Sequence, residues 1–281
     1  MSTEKHISDT AFLVNESRAR KLDISCDIYA EHWIVPEKRD RIRNLWDDFA
    51  REVYPYDDIE LAVRNRYFLE YLRKMAAING NTVFVNLGAG LTSYPFLLKQ
   101  SILCIEVDYP HVISFKQDRI KHLQEEGVLP QRNLEFIPAD LTNSVDQEEL
   151  IRMLTPHVAG KSSYILLEGV SYYLPMLTLL SLIESFRKIQ LTGSIFALDF
   201  WKPELSGHPV FKKLQTFFSG HFGIKASDYN LFDLKVVKSF EGYQLVDASD
   251  AVEQERIYAG TNILADYNNI LPENYAILVR I

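Results

Sequence analysis

Acidic side chains stand where several apolar, strand-like runs of the sequence end. Asp108, Asp140 and Glu168 each lie within two residues of the end of such a run. Carboxylates accept hydrogen bonds from hydroxyl, amino and ammonium groups. Because the carboxyl ends of parallel strands meet at one rim of a sheet, we expect these acids to surround a polar ligand there.

A glycine bend, Gly88-Ala89-Gly90, follows the buried run Val83–Leu87. Glycines let the backbone approach a ligand closely, and Asp108 comes twenty residues after the first of them, a spacing at which an acid can bind both hydroxyls of a ribose. Ser93 replaces the third glycine of a dinucleotide fingerprint, and no Gly-Lys-Ser/Thr sequence follows, so a pyrophosphate is not indicated. An adenosyl ligand without phosphates fits better; a plain tight turn is the alternative.

Alternating apolar runs and helix-like segments predict an α/β fold whose sheet ends in a late hairpin and is therefore mixed. The predicted strands are Val83–Leu87, Ile102–Val107, Leu134–Pro138, Tyr164–Leu167, Ser194–Phe200, Tyr243–Asp247 and Tyr275–Ile281. The predicted helices are Asp57–Ala77, Pro110–Glu126, Glu148–Leu154, Leu177–Lys188 and a segment around Asp250–Ala259.

Two regions lie outside this alternation. Residues 1–62 have no strand-like run and predict a helical amino-terminal cap, divided by Pro36 and Pro55, before a main domain of residues 63–281. Residues 201–233 are rich in aromatic side chains and predict an insertion. Its rings either cap an apolar substrate pocket or pack on the core.

Basic side chains precede the glycine bend in two places. Arg18, Arg20 and Lys21 form a cluster that either covers a solvated helix face or grips a carboxylate. Arg64 and Arg66 lie two positions apart on a predicted helix, so they face in different directions and cannot both point to the same site.

Composition restricts the classes of partner. The 281 residues carry a net charge of −8, which argues against a general grip on nucleic acid or on an anionic membrane. No window is apolar enough for a membrane span, and the first residues lack the apolar core of a signal peptide. The two cysteines do not indicate a disulfide framework, and no histidine falls in a metal-ligand pattern. We therefore expect a cytoplasmic protein without a metal.

Several motifs, taken in order, resemble the leucine carboxyl methyltransferase family, which includes O-methyltransferases of bacterial polyketide pathways. They are SDTAF near the start, RAR at 18–20, DIYAEHW at 27–33, VRNRYF at 63–68, VNLGAGL at 85–91, EVDYP at 106–110, ADL at 139–141 and LEGVSYYL at 167–174. The resemblance implies S-adenosylmethionine as the methyl donor. It also implies a Rossmann-like class I methyltransferase fold: a mixed seven-stranded sheet with helices on both faces and a helical amino-terminal cap.

The resemblance further implies roles for particular residues. Arg64 would hold the methionine carboxylate of the cofactor, with the bend Gly88-Ala89-Gly90 against it. Asp108 would bind the ribose, Asp140 and Leu141 the adenine, and Glu168 the amino group of the methionine. Family members usually read LGAGLDTR, whereas Thr92-Ser93-Tyr94 stands here after the bend. This departure lies beside the cofactor and the expected substrate entrance.

We therefore predict an S-adenosylmethionine-dependent O-methyltransferase that acts on a carboxylate or hydroxyl of a small molecule, apolar or aromatic by the composition of the insertion. A carboxylate needs no base, whereas a hydroxyl must lose a proton. The candidate bases are Tyr172, Tyr173, His111 and His208. Two alternatives stay open: an NAD-dependent oxidoreductase, which Ser93 disfavours, and a catalytically silent S-adenosylmethionine-binding relative.

Overall fold

A seven-stranded sheet forms the centre of the computed structural model, which describes residues 3–99 and 101–281, with side chains from residue 10 onward. The strands are β1 (Val83–Leu87), β2 (Leu103–Asp108), β3 (Leu134–Pro138), β4 (Ser163–Leu167), β5 (Ile195–Phe200), β6 (Tyr243–Asp250) and β7 (Asn274–Arg280). Their order across the sheet is β3-β2-β1-β4-β5-β7-β6. Strands β1 to β5 pair in parallel, and β7 runs antiparallel between β5 and β6. The predicted mixed sheet of seven strands is confirmed.

Strand β1 is the point at which the strand order reverses. It pairs with β2 on one side and with β4 on the other, and all five of its residues are buried. Alternate side chains enter different cores: Val83 and Val85 pack on one face and Phe84 on the other. Ligands of open α/β sheets bind in the crevice at the carboxyl ends of such strands. The fold therefore places the expected ligand crevice beyond Leu87.

Ten α-helices within the described residues surround the sheet. They are α1 (Thr3–Arg20), α2 (Leu22–Ser25), α3 (Pro36–Glu52), α4 (Asp57–Ile78), α5 (Pro110–Glu125), α6 (Ser144–Val158), α7 (Met176–Ile189), α8 (Pro209–Phe222), α9 (Leu234–Lys238) and α10 (Ala251–Tyr258). They cover both faces, and none is long and apolar enough to cross a lipid bilayer.

The connection after β1 differs from a typical nucleotide-binding unit. A single 3₁₀ turn, Tyr94–Leu97, replaces the α-helix that usually follows the glycine bend. Pro95 lies in that turn, and the Ser93 hydroxyl accepts a hydrogen bond of 2.8 Å from the Trp33 indole. Because a helix this short has almost no dipole, the turn offers little to a pyrophosphate, in agreement with the sequence.

The amino-terminal helices share a core with the sheet. Leu13, Trp46 and Phe49 pack in the same buried cluster as Phe84 of β1 and Tyr164 of β4. Helix α4 runs without interruption across position 62, where the sequence suggested a boundary. In the SDTAF motif, the side chains of residues 8 and 9 lie outside the described part of the chain.

The aromatic segment 201–233 both packs on the core and faces an internal cavity. Phe217 of α8 meets the ring of Phe49 edge-on at 5.3 Å between centroids. Trp201 and Phe218 line the cavity. The two alternatives raised by the sequence therefore coexist in one segment.

A buried ion pair holds β2 against α5. Lys116 Nζ lies 2.7 Å from Glu106 Oε1, and both side chains are fully excluded from solvent. Burial raises the pKa of Glu106 and lowers that of Lys116, while their mutual attraction favours both charges. Glu106 is two residues before Asp108, so the pair helps to fix the end of β2 at the ligand crevice.

We predict that Lys116→Met destabilises the fold by about 3 kcal/mol, because it leaves Glu106 buried without its cation. Denaturant unfolding measures the loss. The double variant Lys116→Met/Glu106→Gln removes both charges and is expected to recover most of it. An equal loss in both variants would show that packing, and not the unpaired charge, is responsible.

Candidate cofactor and acceptor site

A cavity of about 370 Å³ opens at the carboxyl ends of β1, β2 and β4. Nine residues that the sequence predicted to bind the cofactor or to act as a base line it: Arg64, Gly88, Ala89, Gly90, Asp108, Leu141, Glu168, Tyr172 and Tyr173. They come from five separate stretches of the chain. The fold therefore brings nearly all of the predicted site residues to one place.

Two backbone N–H groups hold the carboxylate of Asp108 beside the glycine bend. The Gly90 N–H donates to Oδ2 and the Tyr109 N–H donates to Oδ1, each at 2.7 Å. Both glycines have positive φ, 66° at Gly88 and 46° at Gly90, which explains the choice of residue. Burial raises the pKa of Asp108, and the two N–H donors oppose that rise. Each carboxylate oxygen keeps a lone pair for a ligand hydroxyl.

Thr92, the departure from the usual family motif, stabilises the bend. Its hydroxyl donates to the Ala89 carbonyl at 3.0 Å and accepts from the Asn86 side-chain amide at 2.9 Å. Thr92 also lines the cavity. The residue that replaces the usual acid therefore ties the bend to β1 and adds no charge.

Glu168 joins two arginines from different helices. Its Oε1 accepts from Arg18 Nη2 at 2.8 Å and from Arg64 Nε at 2.9 Å, and its Oε2 accepts from the Tyr94 hydroxyl at 2.6 Å. Burial alone would raise the pKa of Glu168, but Arg18, Arg64 and Tyr94 outweigh it and lower the pKa. Glu168 is therefore an anion.

Arg64 forms ion pairs with several buried carboxylates. In addition to Glu168, its Nη1 donates to both oxygens of Glu273, at 2.7 and 3.0 Å, and lies 3.3 Å from Asp199 Oδ2. Arg66 lies partly exposed and pairs with Glu70, so the two arginines do diverge. The assignment of Arg64 to the cofactor carboxylate stays a prediction.

Arg18 has two unsatisfied donor atoms at this site, counted over the described residues. Its side chain is 1% exposed and lines the cavity, yet its Nε and Nη1 have no hydrogen-bond partner among the described residues. A buried guanidinium with free donors is costly unless an anion completes it. Sequence reasoning left Arg18 undecided between surface and carboxylate binding. The RAR motif was the available signal.

Asp140 is the predicted cofactor-binding residue that is not among the described cavity-lining residues. Its Oδ1 accepts from the Thr142 N–H and hydroxyl, at 2.8 and 2.7 Å, which closes its own turn. The neighbours Ala139, Leu141 and Thr142 line the cavity instead. The adenine contact assigned to Asp140 stays a prediction.

A second group of acids lines the cavity on the side of α4. Tyr54 lies between α3 and α4, and its hydroxyl is 2.6 Å from Glu60 Oε2 and 3.1 Å from Asp57 Oδ1. The Glu273 N–H donates to Glu60 Oε1 at 2.9 Å. Sequence reasoning missed Asp57 and Glu60, because acids in the first turn of a helix usually only favour its start. It also missed Glu273, which lies in the loop before β7.

Tyr54 connects the two carboxyl groups of α4. Its hydroxyl donates to Glu60 Oε2 and to Asp57 Oδ1. Burial, with the charge of Glu273, raises the pKa of Glu60 well above its ordinary value. Asp57 also accepts from the Ser17 hydroxyl at 3.1 Å.

The base candidates named from the sequence have different surroundings. Burial, with the charge of Glu273, raises the pKa of Tyr172, and burial also raises that of Tyr173. Both phenols line the cavity and are neutral near pH 7. His111 stacks on Tyr109, and His208 contacts the Tyr267 carbonyl; neither is among the described cavity-lining residues.

Comparison with known families identifies a match over most of the site. The sequence model of the leucine carboxyl methyltransferase family matches residues 13–187, which include Arg18, the glycine bend, Asp108 and Glu168. Comparison with curated protein sequences gives no match.

Solved structures of low sequence identity share the fold. A DUF574 family protein from Streptomyces avermitilis aligns with a TM-score of 0.62 at 14% identity, over 95% of this chain and 97% of its own. A putative methyltransferase from Thermobifida fusca gives 0.59 at 15% identity, over 85% and 88%. Magnesium protoporphyrin IX methyltransferase from Synechocystis, solved with S-adenosylhomocysteine, gives 0.50 at 12% identity, over 88% and 95%. The fold is that of class I methyltransferases.

Burial raises the pKa of Asp57 from 3.8 to about 7, with Glu273 adding to the rise while Ser17, Tyr54 and Arg64 oppose it. Between these values the folded protein holds a proton that the unfolded chain has lost, so this group lowers stability as pH rises from about 4 to 7. We predict that Asp57→Asn raises the free energy of unfolding by at least about 1 kcal/mol at pH 8, and by much less at pH 5.

Denaturant unfolding at the two pH values measures this difference. Asp48→Asn is the control, since Asp48 is a partly exposed aspartate of α3 that pairs with Arg51 at the surface. An equal effect of Asp57→Asn at pH 5 and pH 8 would contradict the raised pKa.

Proposed function

This chain belongs to the leucine carboxyl methyltransferase family, and on that premise we propose that it binds S-adenosylmethionine in the cavity and methylates an oxygen atom of a small molecule. The observation that carries the proposal is the buried guanidinium of Arg18, whose Nε and Nη1 have no hydrogen-bond partner among the described residues and which lines the same cavity as the glycine bend and Asp108. S-adenosylmethionine fits these groups, because its carboxylate would face Arg18 and its ribose hydroxyls would face Asp108.

The proposed cofactor site extends across the strand ends. Arg18, assisted by Arg64, would hold the methionine carboxylate, and Glu168 would hold the amino group. The bend Gly88-Ala89-Gly90 would lie against the methionine, and Asp108 would bind both ribose hydroxyls. Leu141 would pack on the adenine ring, with Asp140 near its amino group. The polar assignments each pair a charge or dipole of the chain with its complement on the cofactor.

The proposed acceptor site is the aromatic side of the cavity. Phe49, Trp201, Leu214 and Phe218 line it together with Tyr173. These rings and apolar side chains suit an apolar or aromatic small molecule and exclude water. We propose that residues 1–62 and 201–233 act as caps over this acceptor, since both supply lining residues. The net charge of −8 supports a small molecule over a nucleic acid as partner.

S-adenosylmethionine supplies a methyl group on a positively charged sulfur. The chain contributes alignment and desolvation, which are the main sources of rate in such a displacement. Its acceptor is proposed to be a carboxylate or a hydroxyl. Tyr172 and Tyr173, neutral and at the cavity wall, are proposed to orient the acceptor oxygen by hydrogen bonds.

We predict that Arg18→Gln and Asp108→Asn each weaken binding of S-adenosylhomocysteine at least tenfold, because each removes a charge-assisted contact of about 1.5 to 3 kcal/mol. Isothermal titration calorimetry measures the affinity. Arg20→Gln is the matched control for Arg18, since Arg20 is partly exposed and pairs with Glu16 and Asp47. Wild-type affinity in both site variants would show that the cofactor binds elsewhere.

A second calorimetric titration uses NAD. We expect no binding, because the chain lacks the third glycine and the long helix that seat a pyrophosphate. NAD affinity equal to that of S-adenosylhomocysteine would favour the oxidoreductase alternative. Binding of S-adenosylmethionine without methyl transfer to any carboxylic acid, phenol or alcohol would favour a catalytically silent relative.

A further inference from the structure

More acidic than basic side chains line the cavity, among the described residues. The carboxyl groups that line it belong to Asp57, Glu60, Asp108, Glu168, Asp228 and Glu273, whereas Arg18 and Arg64 are the cations among the described lining residues. Arg64 already contacts Glu168, Glu273 and Asp199. An acceptor carboxylate on the α4 side would face these acids without a free cation among the lining residues that the structure describes.

The acidic group is contiguous with the proposed acceptor wall. The Phe49 ring lies 5.8 Å from that of Tyr54, whose hydroxyl contacts Asp57. On the other side, Trp201 stacks on Tyr172 with ring centroids 3.9 Å apart, and the Tyr172 hydroxyl reaches Glu273 at 3.4 Å. An aromatic molecule lying between these rings would have its polar end beside the acids.

A second feature points to a polar ligand at the acceptor end. The indole Nε1 of Trp201 is buried without a hydrogen-bond partner among the described residues, and Trp201 is 3% exposed and lines the cavity. A neutral hydroxyl can accept from such a donor and donate to a carboxylate at the same time. A carboxylate can only accept.

We propose that the acceptor is a phenol or alcohol and that Asp57 is the residue that takes its proton. The inference rests on the proposed function and narrows its acceptor class. The O–H bond of the acceptor breaks and its proton passes to a carboxylate oxygen of Asp57. The freed oxygen electron pair forms the bond to the methyl carbon, and the electron pair of the broken carbon–sulfur bond stays on sulfur.

The neighbours of Asp57 hold its carboxyl group in place and affect its pKa, which suits it to accept a proton. Tyr54 and Ser17 donate to its oxygens, Glu60 and Arg64 lie on the same helix, and Glu273 approaches from the segment before β7. Burial raises the pKa of Asp57 to about 7, so it is largely ionised above neutral pH and holds a proton more firmly than an exposed aspartate. The two tyrosines named from the sequence are neutral donors and do not take this proton.

The test compares two probes of the same ring system, 2-naphthol and 2-naphthoate, by calorimetry on the protein saturated with S-adenosylhomocysteine. We expect 2-naphthol to bind at least tenfold more tightly at pH 8, and its affinity to fall as pH drops below about 7 and Asp57 takes up a proton. In Asp57→Asn the affinity should fall at least fivefold and lose its pH dependence. Asp48→Asn should behave as wild type.

Tighter binding of 2-naphthoate, or an unchanged pH profile in Asp57→Asn, would overturn the inference while leaving cofactor binding intact. Failure of S-adenosylhomocysteine to bind would instead overturn the proposed function. An infrared titration needs no acceptor: the carboxyl band that Asp57→Asn removes should titrate near pH 7 in the cofactor-free protein. A midpoint below pH 5 would overturn the inference whichever probe binds.

Discussion

The junction of Glu168 with Arg18 and Arg64 determines how the rest of the molecule is arranged. It joins α1 and α4 to the carboxyl end of β4 through contacts of 2.8 and 2.9 Å in a fully buried setting. Removal of Glu168 takes away the carboxylate that pairs with Arg18, and removal of Arg64 takes away the cation that pairs with Glu273 and Asp199, so the three groups fix the amino-terminal helices over the sheet. The cavity exists because this junction holds the helices at the strand ends and also supplies the polar part of the wall.

The same junction sets the electrostatic character of the site. Arg64 is neutralised by Glu168, Glu273 and Asp199, whereas two nitrogens of Arg18 have no partner within the described part of the chain. One end of the cavity can therefore receive a carboxylate, and the opposite wall, with Asp57 and its neighbours, favours neutral or cationic groups. A cofactor with a carboxylate at one end and a positive sulfur further along matches this gradient in charge. The proposed division of the cavity into a cofactor end and an acceptor end follows from this gradient.

Local patterns in the sequence predicted the sheet well. The bounds of β1 and β3 are those predicted, and the other strands differ by a few residues at their ends. Buried parallel strands such as β1 and β4 have largely apolar runs and clear turn signals. The glycine bend and Asp108 were equally visible, because their spacing along the chain fixes their geometry. By contrast, the contacts of Glu168 join residues 150 and 104 positions apart. Local periodicity contains no information on such pairs.

The acids of α4 were missed for a related reason, because only tertiary packing turns Asp57 and Glu60 from helix-start residues into buried groups. Arg18 is the residue on which the account depends most. A crystal structure of the complex with S-adenosylhomocysteine tests it directly: we predict the methionine carboxylate within about 3.2 Å of Arg18 Nε or Nη1, with both ribose hydroxyls on Asp108. A carboxylate that contacts neither of these nitrogens, with the ribose away from Asp108, would contradict the account.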